Sequence, residues 1–142
     1  MNRPKSHIER LRTSGLRPTK QRLSISKILF DRKETFHFTI DKLKKITEKN
    51  SKKNISLATI YNTVHAFRKR GYLKEISLKG NKTYFDTNTT NHHHFYDEDT
   101  SELIDIKNEN VLLSNLPKVP SGKKIKEIDV TIRVASNNQK QK

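Results

Sequence analysis

The sequence predicts an α+β chain in two parts, an N-terminal winged-helix module followed by a small α/β dimerisation domain. Three observations carry that expectation. The 142 residues hold 30 Lys or Arg against 15 Asp or Glu, yet the excess is confined to residues 1–80, where 21 cations face 6 acids, while residues 81–142 carry nine of each. The basic part contains four capped helical stretches followed by a hairpin pattern, and the remainder shifts to alternating, strand-like runs. A compositional bias toward Lys and Asn, visible in the 12 asparagines, would act on both halves alike and does not explain the split.

Taken in order, Ser6-His7-Ile8-Glu9 has capping-box spacing and Gly15 offers a left-handed stop, so a short helix fits residues 7–14. Thr19 caps a second helix over Lys20 to Phe30, with Ile25, Ile28 and Leu29 on one stripe. Thr39 caps a third carrying Ile40, Leu43 and Ile46, and the polar run Glu48 to Asn54 reads as a loop. Ser56 caps the fourth, whose Leu57, Ile60, Val64 and Phe67 fall on one face and which Gly71 closes. Tyr72 to Leu78 and Thr83 to Asp86 then form a hairpin around Lys79-Gly80-Asn81-Lys82.

The winged-helix module spans 1–86 and a hinge falls at about 87–91. In the second domain, 92–142, Glu102 to Ile106 and Glu127 to Val134 alternate as strands. In the latter, Ile128, Val130, Ile132 and Val134 share an apolar face. Val111 to Leu116 is a candidate helix between them, Pro117, Pro120 and Gly122 interrupt the chain, and Asn137 to Lys142 reads as a disordered tail.

Composition narrows the chemistry. No run approaches the ~18 to 20 apolar residues of a membrane span, and the opening residues lack an apolar signal core, so a soluble, cytoplasmic protein is expected. Zero cysteines exclude disulfides, thiolate zinc sites, iron–sulfur ligation and a cysteine nucleophile. Gly-rich phosphate loops, a nucleophile elbow and a His-Glu-x-x-His helix are missing as well, so no enzymatic activity is expected. With 31% hydrophobic and 7% aromatic residues the chain is lean for an independent core, which favours a second subunit.

The concentrated positive charge points to a polyanion, and nucleic acid is favoured over membrane because no basic helix carries a broad exposed apolar face. On the fourth helix Ser56, Thr59, Tyr61, Asn62 and Thr63 lie opposite the apolar stripe. They are either ordinary solvated positions or the side chains that reach base edges in a major groove. Arg17, Lys20, Arg22, Lys79 and Lys82 supply phosphate contacts around them. Tyr61 is placed to pack on a thymine methyl or to bond a phosphate.

His92, His93 and His94 stand in a segment, Asp86 to Asp105, that has six acids and no Lys or Arg. Consecutive residues of a strand project to opposite sides, so the three cannot all ligate one ion. Neutral imidazole suits divalent first-row metals and haem iron, with nearby carboxylates completing the shell. His37, between Phe36 and Phe38, is a weaker candidate, and His7 and His65 read as structural.

Gly15 to Arg22, Phe36-His37-Phe38-Thr39, Ser56 to Thr63 and His92-His93-His94 occur in an order and spacing that resembles the ferric uptake regulator (Fur) family over nearly the whole chain. Tyr61 to His65, Phe85 to Thr89, His92 to Phe95, Leu103 to Ile106, and Pro117 to Gly122 followed by Ile128 to Arg133 resemble the iron response regulator (Irr) branch most. The resemblance implies a homodimeric, mainly repressing regulator of iron and haem metabolism genes, bound to palindromic AT-rich duplex DNA. Haem delivered by a haem-synthesis enzyme would be the signal.

By position, Tyr61 matches the family's base-contacting tyrosine and Arg17 its minor-groove residue. His37, Asp86, His94 and Asp105 match an interdomain metal site holding iron, manganese or zinc. His93 matches a ligand of a second site, and His92, His93 and His94 the branch's haem-associated motif. The chain departs from the pattern at Tyr96, near where many members place a histidine, and at Asn62, where an arginine is common. Without cysteine it also lacks the paired Cys-x-x-Cys zinc motif and the cysteine–proline haem motif. Competing expectations are a zinc- or manganese-responsive regulator, a sequence-blind architectural DNA protein, and a metal-buffering protein.

Overall fold

The computed structural model describes residues 3–50, 54–80 and 82–137. The chain divides into two compact units, Met1–Thr89 and Thr90–Lys142. Asn81 in the hairpin turn, 51–53 of the expected loop and 138–142 of the expected tail lie outside the described residues. Among those described, no helix is long and apolar enough to cross a membrane.

The first unit contains helices α1 (His7–Thr13), α2 (Lys20–Phe30), α3 (Ile40–Asn50) and α4 (Leu57–Arg70) and strands β1 (His37–Phe38), β2 (Lys74–Leu78) and β3 (Lys82–Asp86). Side-chain caps set the helix starts. Ser6, Thr19, Thr39 and Ser56 accept from the amides of Glu9, Arg22, Lys42 and Thr59, satisfying donors that a helix start leaves orphaned. Glu9 closes its side of the box on the Lys5 amide, one residue earlier than the usual reciprocal partner. Gly71, at φ 97°, ends α4 in the left-handed conformation that a side chain would disfavour.

Leu11, Ile25, Leu29, Leu43, Ile60, Val64 and Phe67 from the four helices pack with Phe38, Tyr72, Leu73 and Phe85 into one core. Each such buried side chain contributes about 1.5–3 kcal/mol by leaving water. The sheet order is β1-β3-β2, all antiparallel, with His37 opposite Asp86 and Phe38 opposite Phe85. α1 and α2 are also joined by a polar cluster, in which His7 Nδ1 lies 2.6 Å from Ser26 Oγ and Nε2 lies 2.8 Å from Asp31 Oδ1. This has the makeup of a hydrolytic triad, but Ser26 is fully buried and out of a substrate's reach. Arg10 donates to Ser26 and lies 3.9 Å from the Phe30 ring centre. Burial lowers its pKa below the usual guanidinium value, against the opposing charges of Tyr72 and Asp31.

The second unit contains β4 (His92–Asp97), β5 (Glu102–Lys107), a single 3-10 turn (Asn108–Asn110) and β6 (Thr131–Val134). The sheet order is β5-β4-β6, β5 antiparallel and β6 parallel to β4.

Several expectations need correction. Helix α3 continues to Asn50, so Glu48 to Asn50 are helical rather than loop. The first hairpin strand begins at Lys74, with Tyr72 and Leu73 buried ahead of it. Val111 to Leu116 is irregular chain, with Val111 half-buried and Leu112 92% exposed. Of the alternating run 127–134 only Thr131–Val134 is β-strand, and Ile128 and Ile132 remain exposed.

Candidate metal centre and nucleic-acid interface

Helix α4 is held by its buried arc, Ile60, Thr63, Val64 and Phe67. Successive residues turn by 100°, so this arc leaves Leu57 and Tyr61 on one flank and Asn62 on the far side. Leu57 is 52% and Tyr61 53% exposed, and Ser56 and Asn62 are exposed while Thr59 is half-buried. Two assignments therefore exchange places. Thr63, expected on the outward face, lies in the core with no exposure, its hydroxyl donating to the Thr59 carbonyl at 2.7 Å. Leu57, expected in the core, faces outward. The Thr59 carbonyl satisfies the Thr63 hydroxyl, which is how a helix interior accepts a polar residue.

Arg17, Lys20, Lys79 and Lys82 are exposed. Arg22 is half-buried and donates to the Arg17 carbonyl at 3.0 Å, bracing the turn that carries Arg17. Tyr61 also has a neighbour that sequence reasoning set aside as structural: the His65 ring, one helical turn on, has its centre 4.1 Å away. The signal available was the i, i+4 spacing of two rings.

The remaining candidates form two groups. In the first unit, the β1–β3 pairing sets His37 across from Asp86, with His37 Nε2 3.1 Å from Asp86 Oδ2 and the carboxylate fully buried. Asp86 Oδ1 accepts from the Asn88 amide at 2.8 Å, which fixes its orientation. In the second unit, strand alternation puts His92 and His94 on one face of β4, where the β5 register brings Asp105 opposite His94. His92 Nε2 and His94 Nε2 lie 3.4 and 3.3 Å from the same oxygen, Asp105 Oδ1. Both imidazoles are buried.

The donor set fits a divalent cation. His92 Nδ1 lies 2.7 Å from the Thr90 carbonyl, which can only accept, so Nδ1 donates and Nε2 is the ring nitrogen turned to Asp105. That is the outer hydrogen bond with which metal-binding histidines fix their tautomer. Bonds of about 2.1 Å place neighbouring donors about 3.0 Å apart in an octahedral shell and about 3.4 Å apart in a tetrahedral one. Around Asp105 the separations of 3.3 and 3.4 Å fall in that range, and so, within the first unit, does the 3.1 Å between His37 and Asp86. His92 thus joins His94 and Asp105, where the sequence had grouped it with His93 and His94 for haem or a second metal.

His93 points to the other face, and its Nδ1 accepts from the Val130 amide at 3.0 Å. Its proton is then on Nε2, which leaves no lone pair for a metal unless that bond breaks.

A four-helix winged-helix unit, followed by a sheet unit bearing a His/Asp donor cluster, defines a class of two-part regulators. The chain belongs to the ferric uptake regulator family, whose model matches residues 13–134. That family consists of DNA-binding transcription regulators, not enzymes. The chain is 34% identical over 100 residues to the peroxide-responsive repressor PerR of Staphylococcus aureus strain Mu50, covering 70% of this chain and 66% of that protein. The match thus spans just under two thirds of the relative's length. Its fold is similar to that of the Vibrio cholerae ferric uptake regulator (TM-score 0.67, 21% identity, 92% of this chain and 100% of that one). The manganese-containing ferric uptake regulator of Pseudomonas aeruginosa is also similar (TM-score 0.63, 19% identity, 89% and 95%). So is a zinc-bound manganese uptake regulator (TM-score 0.63, 21% identity, 93% and 99%).

Proposed function

We propose that the chain is a metal-responsive transcriptional regulator, mainly a repressor, that binds palindromic AT-rich duplex DNA as a homodimer. The observation that carries this is the outward face of α4. It presents Tyr61 and Asn62 from a capped, core-anchored helix inside the part of the chain that holds the whole charge excess. Asn can bond both edge groups of adenine, and an aromatic ring packs on thymine methyls. Arg17, Lys20, Arg22, Lys79 and Lys82 would hold phosphates, with Ser56 and Thr59 near the groove. Exposed Leu112, Leu113, Leu116 and Ile125 support a second copy of the chain as partner of the second unit.

The effector in this proposal is a divalent ion, iron, manganese or zinc, held by nitrogen and oxygen donors. His92, His94 and Asp105 support it through their convergence, and the family resemblance adds His37 and Asp86 to the same ion. Such an ion would supply a fixed charge that orders its ligands. Haem is the second reading, supported by the His92-His93-His94-Phe95 wording of the iron response regulator branch. With haem would come control of iron and haem metabolism genes and a haem-synthesis enzyme as partner.

Binding to random and to palindromic AT-rich duplexes, measured with chelator, Mn²⁺, Zn²⁺ or haem, tests the proposal. Selective binding of the palindrome, strengthened by one of these, is expected. Equal protection of all duplexes would mark an architectural protein, and metal uptake without DNA affinity a buffering one. A haem spectrum unaltered by replacing His92, His93 and His94 with Ala would remove haem as effector.

A further inference from the structure

We propose that His65 is a positioning residue that holds Tyr61 ready to read thymine and ties its ring to the β1–β3 pair. This rests on the DNA-binding reading of α4. An exposed tyrosine on a helix samples several rotamers, and ordering it on DNA costs free energy that a preorganised ring does not lose.

Here Tyr61 is not left to sample. The His65 ring lies against it with centres 4.1 Å apart and planes at 42°. His65 in turn stands edge-on to Phe85, centres 5.5 Å apart and planes at 88°. Phe85 is buried and stacked on Phe38 at 5.6 Å, and Phe38 on Phe36 at 5.5 Å. The separations of 5.5 and 5.6 Å are those at which aromatic pairs gain beyond simple burial, and the Tyr61–His65 pair is closer still. Tyr61 is the exposed end of a row of five rings rooted in the core. Phe85, the central ring, and Phe38 beside it occupy the register step next to His37 and Asp86. A change in the spacing of His37 and Asp86 therefore reaches Tyr61 through packed rings within one unit.

A half-buried histidine that merely filled space would affect stability and leave base discrimination alone. The test separates the two. A duplex selected from a randomised pool by the wild-type protein is compared with the same duplex carrying deoxyuridine for each thymine in turn, which removes one methyl group. Wild type should lose about fourfold at the contacted thymine, the factor for one buried methyl group. Tyr61→Ala should abolish that difference, His65→Ala should reduce it, and His65→Phe should restore it. The loss caused by His65→Ala should vanish in the Tyr61→Ala background.

Should His65→Ala fail to fold by circular dichroism, His65→Leu against His65→Phe makes the same comparison at similar volume. Full thymine discrimination in the ring-less variants, or an equal loss with and without Tyr61, would overturn the proposal. So would a deoxyuridine penalty that Tyr61→Ala leaves intact. A wild-type protein that selects no duplex would instead overturn the DNA-binding reading itself.

Discussion

His94 and Asp105 face each other across the β4–β5 pairing, and the His94 Nε2 lies 3.3 Å from Asp105 Oδ1. The same oxygen is 3.4 Å from His92 Nε2, so the carboxylate is the shared vertex of the group. Replacing Asp105 with Ala should weaken Mn²⁺ or Zn²⁺ binding by more than the roughly 10- to 100-fold that loss of an outer-shell partner alone costs. Titration calorimetry with the metal measures it. His93→Ala should change the affinity far less, since its Nδ1 is engaged by Val130. Equal losses in the two variants would contradict this assignment.

Thr63 supplies a contrast between folding and recognition. Its hydroxyl is internal, bonded to the Thr59 carbonyl. Thr63→Val keeps the shape and removes that bond, and should shift stability by about 1 kcal/mol or less. DNA affinity of the folded variant should equal that of wild type. Chemical denaturation and a DNA titration on one preparation read both quantities, and a large affinity loss in a fully folded variant would return Thr63 to the interface.

The cap of α4 is predicted to matter for the whole first unit. Ser56→Ala removes the acceptor of the Thr59 amide and should lower stability by about 1 kcal/mol, whereas Ser56→Asp should retain most of it. Thermal unfolding of the three proteins provides the comparison.

Phosphate contact has its own signature. The affinity for an AT-rich palindrome should fall linearly on a log–log plot against salt, with a slope of about −0.9 per phosphate neutralised. Lys20→Ala should reduce that slope by about one without changing sequence preference. A slope unchanged by the substitution would place Lys20 away from the backbone.

Much of the helical frame was legible in the chain. Thr19 and Ser56 marked the starts of α2 and α4, and Gly71 the end of α4, because capping chemistry is local and written in residue type. β1 was not legible: two residues, His37 and Phe38, are too few to alternate, and only the pairing with β3 reveals them as a strand. Leu57 and Thr63 exchanged roles for a related reason. Apolar spacing put Leu57 on the stripe, but the neighbouring elements pack around Ile60, Thr63, Val64 and Phe67, and packing rather than polarity chose the buried arc. Near the other end, eight alternating residues predicted a long strand, while the strand that runs beside β4 is Thr131–Val134. The opposed projection of neighbouring histidines followed from strand geometry alone. That His92 would meet His94 at Asp105 required the β4–β5 register.

The parallel pairing of β6 with β4 has a consequence for how the protein is made. β4 and β5 are neighbours in the chain and can form a ladder as soon as both have emerged, but the other side of β4 waits for residues 131–134. Until they arrive, the histidine strand is an edge, with amides and carbonyls open to any passing strand.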